Sequence, residues 1–334
     1  MSVLNKKRVT LQDVANATGY SVNTISHALK NKPDIAPATR EKIQQVARDM
    51  GYGRNEMARS LRSGRTKTLG VVVGGMSNPF YGLMADAIQD AAMKLGYTLL
   101  ILCSRDKEEI EQKVLETAIS RQVDGVLLFP SWASQKSIDR LNAVGIPHVL
   151  MARYLKEGQD DSVVCDEEKG AYLATKHLLD AGRKPAYLSS FDVVYSSERR
   201  FAGFLRACRE AGLPEEECRH AVYESNEDLI AQVLKWKVEG VNGLFMFCDL
   251  EAWNINLLMH QHGLRIPDDF ALVGFDNIQE SWNLPSPLCT IGWDTVSMVD
   301  SAISILRRRI HHEEFAPQTV VFDPYLVCRG SCGR

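Results

Sequence analysis

No stretch of 18 apolar residues occurs in the chain, so no membrane-spanning helix is expected and no membrane partner. The opening residues, Met1-Ser-Val-Leu-Asn-Lys-Lys-Arg, lack the apolar core of an export signal, so the expected compartment is the cytoplasm. The same lack argues against an exported solute receptor. None of the eight cysteines, at 103, 165, 208, 218, 248, 289, 328 and 332, stands in a Cys-x-x-Cys pair. They read as small buried or neutral thiols of a reducing compartment. Cys328 and Cys332 are close in sequence but have no second ligand pair nearby, so no metal is expected. Gly74-Gly75 after the first strand is not Gly-x-Gly-x-x-Gly, no Walker sequence appears, and the eight histidines suggest neither a triad nor a metal set. These gaps weigh against an α/β enzyme, which remains a distant alternative, and no cofactor is expected.

The charge is unevenly spread. Residues 1–66 hold 12 Lys and Arg against 5 Asp and Glu, and the rest of the chain holds 27 against 37. A cationic module on an anionic body fits phosphate binding through counterion release. Within that module Thr10 can cap a helix, with Asp13 reaching back. Leu11, Val14 and Ala15 share a face, and Gly19-Tyr20 breaks the helix. Ser21 can cap a second helix. On it Ile25, Ala28 and Leu29 form an apolar arc opposite Asn23, Ser26, His27 and Lys30. Val22 lies at the edge of that arc, and spacing alone does not say whether it packs or points out. Pro37 suits the first position of a third helix, with Ile43, Val46, Ala47 and Met50 in one stripe. Two short helices around a glycine turn, closed by a third, make a helix-turn-helix.

Several runs carry a resemblance: Val9-Thr10-Leu11-Gln12-Asp13-Val14-Ala15, Gly19, Ser21, Thr24-Ile25-Ser26-His27, Thr39-Arg40-Glu41-Lys42-Ile43, Gly51-Tyr52, Asn55 and Ala58-Arg59-Ser60-Leu61. They resemble the head of the LacI/GalR family of bacterial transcription regulators. The resemblance implies a sequence-specific DNA-binding regulator, a repressor, acting as a homodimer on palindromic double-stranded operator DNA, with a tetramer left open. Val22, Asn23 and His27 would meet base edges, and Thr24, Ser26 and Arg40 would hold phosphates. Thr10, Ser21, Asn55, Ala58 and Arg62 join them as DNA-binding positions, and Leu61 would wedge into a base step from a hinge helix. Three positions depart from the family pattern: Lys30 stands where Asn is common, Ala36 where Ser would cap, and Arg54 where proline is usual.

From Leu69 onward, short apolar runs alternate with longer amphipathic stretches, the pattern of parallel sheets with helices on both faces. Val123-Asp-Gly-Val-Leu-Leu-Phe129 is echoed by Val241-Asn-Gly-Leu-Phe-Met-Phe247, which suggests two α/β halves of like topology. The family resemblance implies a two-lobed body like a periplasmic binding protein, joined by crossovers near 165–168, 291–295 and 323–326. The expected domains are a helix-turn-helix head at 1–52, a hinge at 53–67 and an effector-binding and dimerisation body at 68–334. Lobe 1 takes 68–165 and 295–323, and lobe 2 takes 166–292 and 324–334. Dimer contacts are expected on the helix around Tyr81–Ala92, through Leu83, Met84, Ala87 and Ile88.

Ligands of open α/β sheets bind beyond the carboxyl ends of strands. The resemblance marks Asp166, Arg200, Asp249 and Asp276 as effector contacts, a set suited to hydroxyl-rich molecules. Ser196 joins them, and Phe80, Tyr81, Trp132 and Trp282 could face a ring. The expected effector is a sugar or sugar derivative; control by a protein partner or a purine-like corepressor is the alternative. The plain structural readings stay open: Asp166 precedes a helix it could cap, and Arg200 could pair with Glu198 or Asp192.

Overall fold

The computed structural model describes residues 9–53, 64–131, 134–155, 158–190, 195–278 and 287–333. The chain divides into two units, Met1–Gly64 and Arg65–Arg334. In the first, α1 (Leu11–Thr18), α2 (Val22–Leu29) and α3 (Pro37–Asp49) surround a core of Val14, Ala15, Ile25, Ala28, Ile43 and Ala47. The Thr10 and Asp13 side chains bond each other's backbone N–H groups, satisfying donors that the first turn leaves without partners. Gly19 ends α1 at φ 73°, a left-handed conformation that costs glycine nothing. Ser21 caps α2 by accepting from the Thr24 N–H, whereas Ala36 offers α3 no side-chain cap. Gln44 of α3 donates to the Ala28 carbonyl and to Asn31 Oδ1, tying α3 to the end of α2.

The second unit alternates strand and helix. Its first run is β1 (Thr68–Val73), α4 (Pro79–Lys94), β2 (Thr98–Cys103), α5 (Glu108–Ser120), β3 (Gly125–Leu128), α6 (Gln135–Ala143), β4 (His148–Met151) and β5 (Ser162–Cys165). Then come α7 (Glu167–Asp180), β6 (Pro185–Ser189), α8 (Tyr195–Glu210), β7 (Arg219–Val222), α9 (Asn226–Val238), β8 (Gly243–Met246), α10 (Asp249–Gln261) and β9 (Ala271–Val273). The last run is β10 (Thr290–Gly292), α11 (Thr295–Ile310), β11 (Thr319–Phe322) and β12 (Tyr325–Val327).

Six strands form one parallel sheet in the order β11-β5-β4-β3-β1-β2, and four form another in the order β7-β6-β8-β9. β10 and β12 pair antiparallel. The chain passes from the first sheet into α7 after Cys165, returns through α11, which packs on α4 and on β3, β4 and β5, and leaves again between β11 and β12. The result is two α/β lobes, as the internal echo and the family resemblance imply, built on the parallel sheets that strand–helix alternation predicts. Central strands such as β1 and β3 are buried on both faces, which is why they read as unbroken apolar runs.

The internal echo has a packing reason. Gly125 opens β3 and Gly243 opens β8, each near the middle of its sheet. A methyl at Gly125 would lie 2.9 Å from Leu306 of α11, and one at Gly243 would lie 3.0 Å from Arg183 just after α7. In each lobe a bare glycine lets a covering element come close to the sheet.

One expectation is corrected. Met84 and Ile88 are buried within their own chain, where α4 covers the first sheet. An apolar helical stripe serves a core or an interface equally well, and here the core claims it. Leu83 and Ala87 stay half-buried. Of the eight thiols six are buried, Cys103 is half-buried and Cys328 is exposed. Among the described residues no helix is long and apolar enough to cross a membrane.

α7 and α8 pack closely at Gly203. A side chain there would overlap the Glu168 carbonyl oxygen and would lie 2.9 Å from the Ala171 methyl and the Tyr172 nitrogen. Backbone cannot step aside as a flexible side chain can, and overpacking costs about 1–3 kcal/mol. Gly203→Ala should therefore lower Tm by several degrees in calorimetry; an unchanged Tm would show that the helices separate freely.

Candidate functional site

Between the lobes lies a cavity of about 720 Å³ at the carboxyl ends of the strands. Lobe 1 lines it with the loop 74–78, Tyr81, Cys103, Arg105, Asp106 and Arg153; lobe 2 contributes Ser190, Phe247, Cys248, Leu250 and Glu251. A side chain at Gly74 would overlap the Asp106 carboxylate and the Tyr81 hydroxyl, so these groups would have to move aside. Arg153 donates to the Pro130 carbonyl at 3.0 Å, to Asp106 at 3.3 Å and to the Tyr81 hydroxyl at 3.3 Å. Burial pushes the Tyr81 hydroxyl up to about 12, so it stays protonated.

A smaller recess of about 50 Å³ lies beside this cavity and shares Asn78, Tyr81, Arg153, Phe247 and Cys248 with it. Arg200 stands in it, 4% exposed. Its Nε donates to Glu167 at 2.5 Å, its Nη1 donates to the Phe247 carbonyl, and its Nη2 lies 3.8 Å from Asp276. The guanidinium sits 3.6 Å from the Phe275 ring centre and 4.5 Å from that of Phe247, both within cation–π range. Burial opposes its charge, but Glu167 and Asp276 outweigh that and raise its pKa. Burial also pushes the Asp276 carboxyl well above the usual range, with Arg200 pulling the other way. Burial raises Glu251 too, against hydrogen bonds from Ser190 and Tyr223.

The expected effector residues separate in this geometry. Phe80, Tyr81, Ser196, Arg200 and Asp276 line the recess. Ser196 donates to Glu167 at 3.3 Å, and Phe80 packs edge-on against Phe129 and Trp293. Asp166 accepts from the Lys169 N–H at 2.9 Å, so its carboxylate caps α7. Asp249 is fully buried beneath the cleft and accepts from Thr290 Oγ at 2.5 Å and the Ile278 N–H at 3.0 Å. Trp132 and Trp282 lie outside the described residues. Arg200 takes Glu167 as its partner rather than Glu198. Sequence reasoning left Asp106, Glu167, Ser190 and Glu251 out of the candidate set, and reached Arg153 only as a strand-end loop position, not as an effector contact. Asp106, Arg153 and Ser190 all follow strand ends, so the strand-end rule reaches them.

In the head, Thr10, Ser21, Val22 and Asn23 are exposed and Thr24, Ser26, His27 and Arg40 are half-buried. Val22 is 37% exposed, so it points out. His27 Nδ1 lies 2.6 Å from Asp34 Oδ2, which orients the ring and leaves Nε2 on its other edge. Asn55, Ala58, Leu61 and Arg62 fall outside the described residues.

Comparison with known proteins matches residues 10–55 to the model for bacterial regulatory proteins of the lacI family and residues 175–332 to a periplasmic binding protein-like domain. The HTH-type transcriptional repressor PurR of Vibrio vulnificus (strain CMCP6) is 30% identical over 326 residues, 96% of this chain and 97% of that protein. The chain belongs to the lacI family of bacterial regulatory proteins. It is a DNA-binding transcriptional repressor, and the fold agrees. The lac repressor dimer bound to operator and the anti-inducer ONPF superposes with a TM-score of 0.81 at 21% identity, covering 98% of this chain and 99% of that one. The regulator CelR in complex with cellobiose gives 0.69 at 24% identity, covering 97% and 100%.

Buried carboxyls give this family member a pH signature. Burial raises Asp249 to about 7, although Thr290, Ile278, Arg329 and Arg200 pull it down. The folded chain therefore holds a proton that the unfolded chain releases near pH 4. Stability contributed by that proton is present at about pH 4 and lost as pH rises towards about 7. Asp276 and Glu251, also raised, act with the same sign. Urea midpoints should fall between about pH 5 and about pH 8, and Asp249→Asn should flatten that slope. An equal slope in the variant would refute the assignment.

Proposed function

We propose that this repressor binds a palindromic operator as a homodimer and that a hydroxyl-rich small molecule, a sugar or sugar derivative, controls it from the inter-lobe cleft. The observation that carries the reading is the cleft lining. Carboxylates and a serine stand ready to accept from or donate to hydroxyls, and Arg153 and Arg200 supply fixed donors, with side chains from both lobes. A ligand bonded to Asp106 on one side and Ser190 or Glu251 on the other favours one lobe arrangement over others. Differential affinity of this kind shifts populations, and coupling between such sites is typically about 1–3 kcal/mol. The name PurR among the relatives favours a second reading, a purine-like corepressor in the same cleft.

On the DNA side, one head reads one half-site, so a palindrome calls for two copies. Val22, Asn23 and His27 are the proposed base contacts, with Thr24, Ser26 and Arg40 on phosphates. Thr10, Ser21, Asn55, Ala58, Leu61 and Arg62 complete the proposed DNA set. Asn23→Ala should weaken specific over non-specific binding about tenfold in fluorescence anisotropy; parallel loss on both kinds of DNA would make Asn23 a phosphate contact.

The effector test is a thermal-shift panel of sugars and purines, because a binder stabilises according to its saturation. Asp106→Asn probes the site gently: Asp106 is partly exposed and holds φ 52°, a conformation asparagine tolerates. It should weaken the effector about tenfold while operator affinity without effector stays unchanged. Stabilisation by purines alone would select the corepressor reading, and no binder with unaltered operator control would sink both.

A further inference from the structure

Cys328-Arg329-Gly330-Ser331-Cys332 has no ligand pair beside it in sequence, but the fold supplies one. His177, on the second half of α7, and Cys289, just before β10, converge on the two cysteines. The four donor atoms all lie within 4.8 Å of one another. We propose that His177, Cys289, Cys328 and Cys332 bind a zinc ion that pins the carboxy-terminal segment to lobe 2.

The distances fit a tetrahedral ion. Zinc–sulfur bonds of about 2.3 Å place tetrahedral thiolates about 3.8 Å apart. The three sulfur separations here are 3.4 Å for Cys289–Cys332 and 3.7 Å for both Cys289–Cys328 and Cys328–Cys332. Three sulfurs at similar separations with an imidazole nitrogen within 4.8 Å of each are a Cys₃His set, typical of structural zinc. His177 Nε2 is 2.7 Å from Cys332 Sγ; a ring shift of about 0.9 Å gives the separation that two zinc ligands require.

The surroundings suit a thiolate site. The Arg329 N–H donates to Cys289 Sγ at 3.3 Å, the kind of outer contact that orients a ligand sulfur. Gly330, at φ 96°, turns the chain so that Cys328 and Cys332 face the same point. Ser331 locks that turn: its hydroxyl accepts from the Cys289 N–H at 2.7 Å and donates to the Leu272 carbonyl at 2.6 Å. Three thiolates and a divalent ion leave one negative charge, which the Arg329 N–H at Cys289 partly meets. Cys289 and Cys332 are 0% and 1% exposed and His177 is 9% exposed. Cys328 is open to solvent and gives the ion its way in. Soft sulfur with one imidazole and tetrahedral spacing selects zinc over magnesium or calcium.

The full chain, purified with reductant and without chelator, should carry one zinc per chain by inductively coupled plasma mass spectrometry. Chelation should lower Tm by several degrees, and added zinc should restore it. Cobalt(II) added to the reduced apoprotein should give the intense visible bands and sulfur charge-transfer band of a tetrahedral thiolate site. Cys328→Ser, at an exposed position, should lose the ion while keeping the native circular dichroism, and His177→Ala should lose it too. Cys208→Ser, a buried thiol elsewhere, should keep it. Apoprotein that takes up no stoichiometric zinc, a weak octahedral cobalt spectrum, or zinc content unchanged in Cys328→Ser and His177→Ala would each overturn the proposal. So would a chain two hydrogens lighter that binds no metal under reduction.

Discussion

The body is organised around one buried cation. Arg200 carries full charge in a space that excludes water, and an isolated charge there would cost many kilocalories per mole. Glu167 answers it from α7, the Phe247 carbonyl from the end of β8, and the Phe275 ring from the loop after β9. Each partner comes from a different stretch of chain, so satisfying this guanidinium requires lobe 2 to be assembled. The same demand explains why Asp276, next to Phe275, stands so close to a positive charge and is still pushed towards its neutral form: burial outweighs a single neighbour at 3.8 Å.

Around that centre the site is layered. Arg200, Glu167 and Asp249 form a dry floor whose groups satisfy one another or the backbone. Arg153, Asp106, Ser190 and Glu251 form walls contributed by both lobes. Floor residues set the shape and the field, with Arg200 also offering a donor at the recess, and wall residues face the proposed ligand. Breaking a floor pair leaves an uncompensated buried charge, whereas changing a wall residue leaves the lobes standing. The difference decides which substitutions report on recognition and which report on folding.

Much of the architecture was legible in the sequence because its signals are local. Thr10 with Asp13, Gly19, Ser21 and Pro37 mark helix ends by chemistry that acts within a few residues, and alternating apolar and amphipathic runs declared the parallel sheets. The site was harder to read. A loop aspartate before a helix has two uses for one carboxylate, and Asp166 went to the cap. Asp249 looked like a strand-end ligand residue, but Thr290, far along the chain, returns to cover it. Glu167 has its partner distant in sequence, so no spacing announces it. The stripe of Met84 and Ile88 had the right period and no direction. Cys289 and His177 meet Cys328 and Cys332 only because a crossover brings the carboxy-terminal segment back across lobe 2.

The contact at Gly203 gives the Arg200–Glu167 pair a mechanical meaning. These two residues sit on α8 and α7, and Gly203 presses one helix backbone against the other a single turn beyond the arginine. The pair is bolted to a stiff two-helix plate, so the strain of ligand capture finds no slack within lobe 2. Such strain would instead load the three segments of chain that link the lobes.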